Sequence, residues 1–131
     1  MDSNFKLEII SPEKILFSES VKMVSVPSYE GDMGILKDHI SIISFLRPGK
    51  VKIQKNDESF EEFFFEDGTI EFIENNLTIL SSSAISLKNI NKGLIDNLFQ
   101  ATEESLKNKN ITDHDRYILN HKLDVLREIR V

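Results

Sequence analysis

Thr69-Ile70-Glu71-Phe72-Ile73-Glu74-Asn75-Asn76-Leu77-Thr78-Ile79-Leu80 is the stretch that decides the fold. Side chains of an extended strand alternate with period two, so Ile70 and Phe72 fall on one face while Glu71 and Ile73 fall on the other. Asn75-Asn76 supplies turn formers, and Leu77 to Leu80 resumes the β-prone composition. The segment therefore predicts two short strands around a turn, with one face apolar and the other mixed.

Working outward, the same pattern runs from Phe5 to Leu87. Candidate strands are Lys6 to Ser11, Lys14 to Ser18, Val21 to Val26, Val51 to Gln54, Phe60 to Glu66 and Ala84 to Leu87, with Thr69 to Glu74 and Leu77 to Leu80 as above. Pro12, Pro27, Pro48-Gly49, Asn56-Asp57 and Asp67-Gly68 punctuate them, as expected of an all-β sandwich or barrel. In Phe63-Phe64-Phe65 at least one ring must lie on the second face. Two-sided burial accounts for that; an exposed Phe here would be a partner contact.

After Leu87 the period becomes helical. Ile90, Leu94, Ile95, Leu98, Phe99 and Leu106 recur at three- and four-residue steps, with Asn89 or Asn91 as the N-cap. Lys107-Asn108-Lys109-Asn110 ends that helix. Thr112 and Asp115 then form a short-armed capping box for a second helix, whose stripe is Ile118, Leu119, Leu123, Leu126 and Ile129. A short linker predicts an antiparallel hairpin. The fold class is thus a β-sandwich N-terminal domain, 1–87, followed by a C-terminal two-helix antiparallel hairpin, 88–131. Having few long-range contacts of its own, the hairpin is either a movable element or a permanently docked one.

The chain has 131 residues, 40% hydrophobic and 29% charged, which suits one core without staples. The absence of cysteine excludes disulfides, thiolate metal sites and cysteine nucleophiles. A formal net charge of -6, with 16 basic residues scattered among 22 acids, argues against nucleic acid as a partner. Met1 to Phe5 shows no signal-peptide pattern, and Ile40 to Leu46 is too short to span a bilayer. Membrane association is expected only through a partner.

No catalytic motif is present. His114 and His121 lie seven residues apart rather than four, and His39 is remote, so neither a metal site nor an acid–base pair is expected. The unusual segment is Ser28 to His39, where Gly31 and Gly34 interleave with Glu30, Asp32, Met33, Ile35 and Leu36. It reads as a long structured loop, either a binding loop or a wide turn between sandwich edges.

That segment, Pro27-x-x-Glu30-Gly31-x-x-Gly34-Ile35-Leu36-x-x-His39, resembles the signature of ATP synthase epsilon subunits. Ile10-Ser11-Pro12-Glu13, Leu16-Phe17 and Val24-x-Val26 precede it in the family's order. Leu46-x-Pro48-Gly49 and Gly68-x-x-Glu71-x-x-x-Asn75-x-Leu77-Thr78-Ile79-Leu80 follow. The resemblance covers almost all of the β segment, and the order of sandwich then hairpin covers the rest.

The resemblance implies a flattened sandwich of about ten strands in a non-catalytic rotor subunit of the bacterial proton-translocating enzyme. This subunit would lie peripherally at the cytoplasmic face of the plasma membrane. The sandwich would join the gamma subunit to the c-ring, with Glu30, Gly31, Asp32, Met33, Gly34, Ile35, Leu36 and His39 toward the ring. Asp32 stands where the family usually has Glu. The hairpin would act as a brake on ATP hydrolysis, extending toward the alpha/beta head, where Arg116, Lys122, Arg127 and Arg130, with Lys107 and Lys109, would meet acidic surfaces. The plain alternative makes these cations a solvated face.

Two departures matter. Asn91-Lys92-Gly93-Leu94-Ile95 lacks the Asp and Arg of the nucleotide-holding Asp-x-x-Arg-Ala segment found in some relatives, so no cofactor or nucleotide is expected. Lys37-Asp38 replaces the usual Pro-Gly, which alters the backbone of the contact segment. Competing readings are a free-standing β-sandwich binding module with a helical tail, and a small enzyme with a cleft between sandwich and hairpin.

Overall fold

The computed structural model describes residues 3–130. Met1, Asp2 and Val131, at the outer bounds of the two expected segments, lie outside the described residues. Among the described residues there are nine strands and two helices: β1 Phe5–Ile10, β2 Ile15–Ser28, β3 Gly31–Leu36, β4 Ile42–Leu46, β5 Gly49–Lys55, β6 Phe60–Phe65, β7 Gly68–Ile73, β8 Asn76–Leu80, β9 Ile85–Ser86, α1 Lys92–Leu106 and α2 Asp113–Arg130.

One long strand organises both layers. The first half of β2 pairs antiparallel with β1, which pairs parallel with β8 and leads on to β7 and β4. The second half pairs with β3 on one edge and β5 on the other, followed by β6 and β9. Ser28 also pairs with Leu46, so β4 returns to β2 and the ladder closes on itself. Between the layers lies one core, in which Leu7, Val24, Ile35, Ile53, Phe65 and Phe72 are all buried.

The strand expectations need correction in three places, and one strand was not foreseen. Lys14 to Ser18 and Val21 to Val26 are one strand, because Glu19 and Ser20 stay in register opposite Leu7 and Lys6 instead of turning. Ser28 to His39 is not a long loop: β3 occupies half of it in a hairpin with β2. Its alternation is disguised because the outward positions carry Asp32 and Gly34 while Met33 and Ile35 point inward. Ile40 to Leu46 holds β4, whose outward Ile43 and Phe45 are apolar and hide the period-two signal. The described strands number nine rather than about ten.

The triple Phe is buried on both faces. Phe63 and Phe65 enter the sandwich core, whereas Phe64 lies on the reverse face and is nonetheless 0% exposed. Its same-face neighbour Glu66 pairs with Lys122, and its cross-strand partner Lys50 lies 3.3 Å from Glu128, so α2 covers it. The exposed ring of this strand is Phe60, with Lys52 Nζ 4.7 Å above it.

The helix ends follow their sequence signals. Asn91 Oδ1 accepts from Leu94 N–H at 2.8 Å and caps α1. Thr112 Oγ1 accepts from Asp115 N–H at 3.0 Å while Asp115 accepts from Thr112 N–H at 3.4 Å, forming the capping box. Arg130 reaches Asp96 at 3.6 Å, which brings the end of α2 beside the start of α1. Of the expected stripe on α2, Leu123 and Leu126 are buried.

Candidate protein-interaction site

The hairpin of β2 and β3 closes through Tyr29 and Glu30, with Ser28 opposite Gly31. Gly31 adopts φ 128°, which glycine takes without a Cβ clash. Glu30 is exposed, yet its carboxylate is not loose. Ser44, buried, donates to one of its oxygens at 2.9 Å, and the hydroxyl of Ser28, also buried, is shared between that oxygen at 3.0 Å and the Gly31 carbonyl at 2.8 Å. Bonds from Ser44, from its own backbone and from Ser28 hold the Glu30 carboxyl below the ordinary 4.5. The result is an anion fixed in direction at the tip of the sandwich.

Asp32, also exposed, lies 3.3 Å from Arg47. Gly34 faces outward on the edge strand, and a Cβ built there meets nothing within 4 Å. Its lack of a side chain serves no internal packing and leaves the strand open to close approach. Met33 packs partly against the core, and Ile35 is fully buried within it. Leu36 is exposed at the end of β3, and His39 sets its ring edge-on against Phe72 at 5.8 Å. The structure thus gathers Glu30, Asp32, Gly34 and Leu36 on the surface, while Ile35 anchors the strand that carries them.

Sequence reasoning missed a second surface, the outer face of β4, β7 and β8. Register places Phe45 opposite Thr69 and Thr69 opposite Leu80, with Ile43 opposite Glu71 in the next row. Ile43 is 73% exposed, Phe45 58%, Leu80 49% and Ile73 42%. The available signal was the paired apolar residues in Ile42-Ile43 and Phe45-Leu46, which put one member of each pair outward.

The basic residues proposed for the hairpin are mostly engaged within the chain. Lys122 pairs with Glu66 just after β6, Arg127 lies 3.1 Å from Asp124, and Arg130 joins Asp96. The guanidinium groups of Arg127 and Arg130 lie 5.6 and 5.0 Å over Phe99. Lys107 sits 3.5 Å from Glu104 and Lys109 is exposed. Arg116 is exposed and has no ion pair among the described residues. His114 contacts Tyr29 and His121 contacts Tyr117, so the two share α2 but not a centre.

Residues 4–87 match the family described as the ATP synthase delta/epsilon chain beta-sandwich domain. An ATP synthase epsilon chain of Pelagibacter ubique (strain HTCC1062) is 49% identical, over 98% of this chain and 99% of its own. One from Parvibaculum lavamentivorans is 30% identical, over 99% and 98%. Among solved structures, the Euglena gracilis mitochondrial ATP synthase OSCP/F1/c-ring assembly contains a chain that matches with a TM-score of 0.74 at 16% identity, over 97% of this chain and 79% of that one. A chain of the Tetrahymena thermophila central stalk and c-ring matches at 0.61 and 13%, over 96% of both, and these two likenesses speak for the fold alone. Family match and near full-length identity together establish that this chain belongs to the ATP synthase delta/epsilon-chain family, as a non-catalytic stalk subunit of that complex.

Proposed function

We propose that the sandwich joins the gamma subunit to the c-ring in the central stalk, at the cytoplasmic face of a bacterial plasma membrane. The observation that carries this is the pair of adjoining exposed surfaces on one sandwich: the apolar outer face of β4, β7 and β8, and the acidic hairpin tip. Exposed large apolar side chains gathered on one sheet face mark interaction surfaces. We assign gamma to the apolar face, where Ile43, Phe45 and Leu80 become buried. The c-ring takes the tip, where Glu30 and Asp32 meet polar, partly basic loops and fix register more than they add affinity. In this reading attachment runs through the complex; no described helix is long and apolar enough to cross a membrane.

We further propose that residues 1–87 and 88–131 act as two units, with the hairpin as a regulatory arm reaching the alpha/beta head. Docked, it keeps Lys122 and Arg130 on internal carboxylates; extended, it offers them to acidic surfaces together with Arg116 and Arg127.

Co-expression with the cognate gamma subunit, followed by size-exclusion chromatography with light scattering, tests the docking. A one-to-one complex that is lost in Phe45→Asp, while that variant keeps a wild-type circular dichroism spectrum, is the expected result. Two separate folded monomers from the wild-type pair would overturn the reading in favour of a free-standing binding module.

A further inference from the structure

Two turns meet at one end of the sandwich, and each holds a residue other than glycine in the left-handed region: Asp38 at φ 66° and Asn75 at φ 63°. His39 N–H donates to the Leu36 carbonyl at 3.1 Å and closes the first turn. The second joins β7 to β8, with Glu74 also at positive φ, the geometry that suits asparagine in a two-residue hairpin. Asp38 and Asn75 bond each other twice. The Asp38 backbone N–H donates to Asn75 Oδ1 at 2.7 Å, and Asn75 Nδ2 donates to Asp38 Oδ1 at 3.0 Å. The Asn75 carbonyl in turn accepts from Lys6 N–H at 3.0 Å, which ties the pair to β1.

The connection so held, residues 37–41, links β3 to β4 and lies outside the strand ladders. It carries Ile40, 78% exposed, and is flanked by Leu36 at 55% and Ile43 at 73%. Exposed hydrogen bonds add little to global stability, since water competes for every partner. Their effect is local: they remove the freedom of a short segment whose apolar side chains face outward. Ordering that segment before docking takes its entropy cost out of the binding step.

We infer that Asp38 and Asn75 are positioning residues that hold the rim from Leu36 to Ile43 in its docking conformation. The inference rests on the reading that gamma takes the apolar face, of which Ile43 at the end of this rim is part. The bonds also account for a non-glycine residue at position 38. Turn geometry there calls for positive φ, and the carboxylate's bond to Asn75 offsets the strain.

Four full-length chains separate this role from a merely structural one: wild type, Asn75→Gly, Asn75→Asp, and the exchange Asp38→Asn with Asn75→Asp. Glycine preserves the turn and removes both bonds. Aspartate at 75 sets two carboxylates against each other. The exchange restores an amide facing a carboxylate in the opposite sense. Thermal melting and amide hydrogen exchange are measured on the free chains, and dissociation rates on a cognate gamma and c-ring assembly prepared without this subunit. We expect similar melting temperatures throughout. Exchange at residue 38 should be faster in Asn75→Gly, which removes the acceptor, dissociation should be about tenfold faster in both single variants, and it should recover in the exchanged pair. Equal dissociation rates for all four chains, with the exchange rates altered, would overturn the positioning role and leave docking intact. Equal amide exchange would remove the clamp itself. Failure of the wild type to bind would overturn the docking reading, and the positioning role with it.

Discussion

Glu30 shows how much a single environment does to a side chain the sequence presents as one acid among many. The hydroxyls of Ser44 and Ser28 lower its proton affinity, so their contribution to stability is fully present above the unfolded-state pKa. It is lost only as pH falls through the lower folded value. The carboxylate therefore stays charged throughout the neutral range and down into ordinary carboxylate territory. Ser44→Ala should move the Glu30 titration back up toward 4.5, read by NMR of the side-chain carboxyl, and an unmoved titration would exclude Ser44 as the cause. Gly68 is a second decisive residue. A Cβ there would stand 2.9 Å from the Leu80 carbonyl oxygen and 3.1 Å from Ser81 Cβ, with φ at 153°. Gly68→Ala should cost about 1–3 kcal/mol in urea unfolding, because backbone rather than a flexible side chain blocks the space.

Among the elements, α2 carries the hairpin's ion pairs to the sandwich, and magnitudes rank them below the burial within α2. The pairs of Lys122 with Glu66 and of Lys50 with Glu128 are partly exposed, and such pairs contribute about 0–1 kcal/mol each after screening. Leu126, fully buried, is worth more: truncation to alanine should cost about 2–5 kcal/mol. Leu126→Ala should accelerate amide exchange across residues 92–130 while β7 and β8 keep their protection. Raising salt to 1 M should by contrast leave the hairpin docked. Rapid exchange in high salt would reverse that ranking. The helices were legible in advance because caps and stripe agreed, as at Asn91, Thr112 and Leu123. Strands β3 and β4 were not, and for opposite reasons. Asp32 and Gly34 made one look like a loop, while Ile43 and Phe45 erased the polar half of the other. Both failures fall on surfaces that the proposed function assigns to partners. The candidate segment Ser28 to His39 stood out by its glycines and acids, but the serines that bond Glu30 come from two strands, and Ser44 is brought there only by the pairing of β4 with β2.

In the whole molecule, the proposed function gives anchoring to the exposed sandwich faces and regulation to the docked hairpin. Deleting residues 111–131 should raise ATP hydrolysis by the assembled enzyme without weakening the complex with gamma, and unchanged hydrolysis would count against an inhibitory arm. The closed ladder has a further consequence for a part that must turn with its neighbours. Because β2 runs unbroken from the β1 layer into the β3 and β5 layer, a sideways force applied at one face need not cross the core through side-chain contacts. It travels along covalent backbone and hydrogen-bonded rungs, so in the proposed placement the sandwich resists shear as a single stiff washer between ring and shaft.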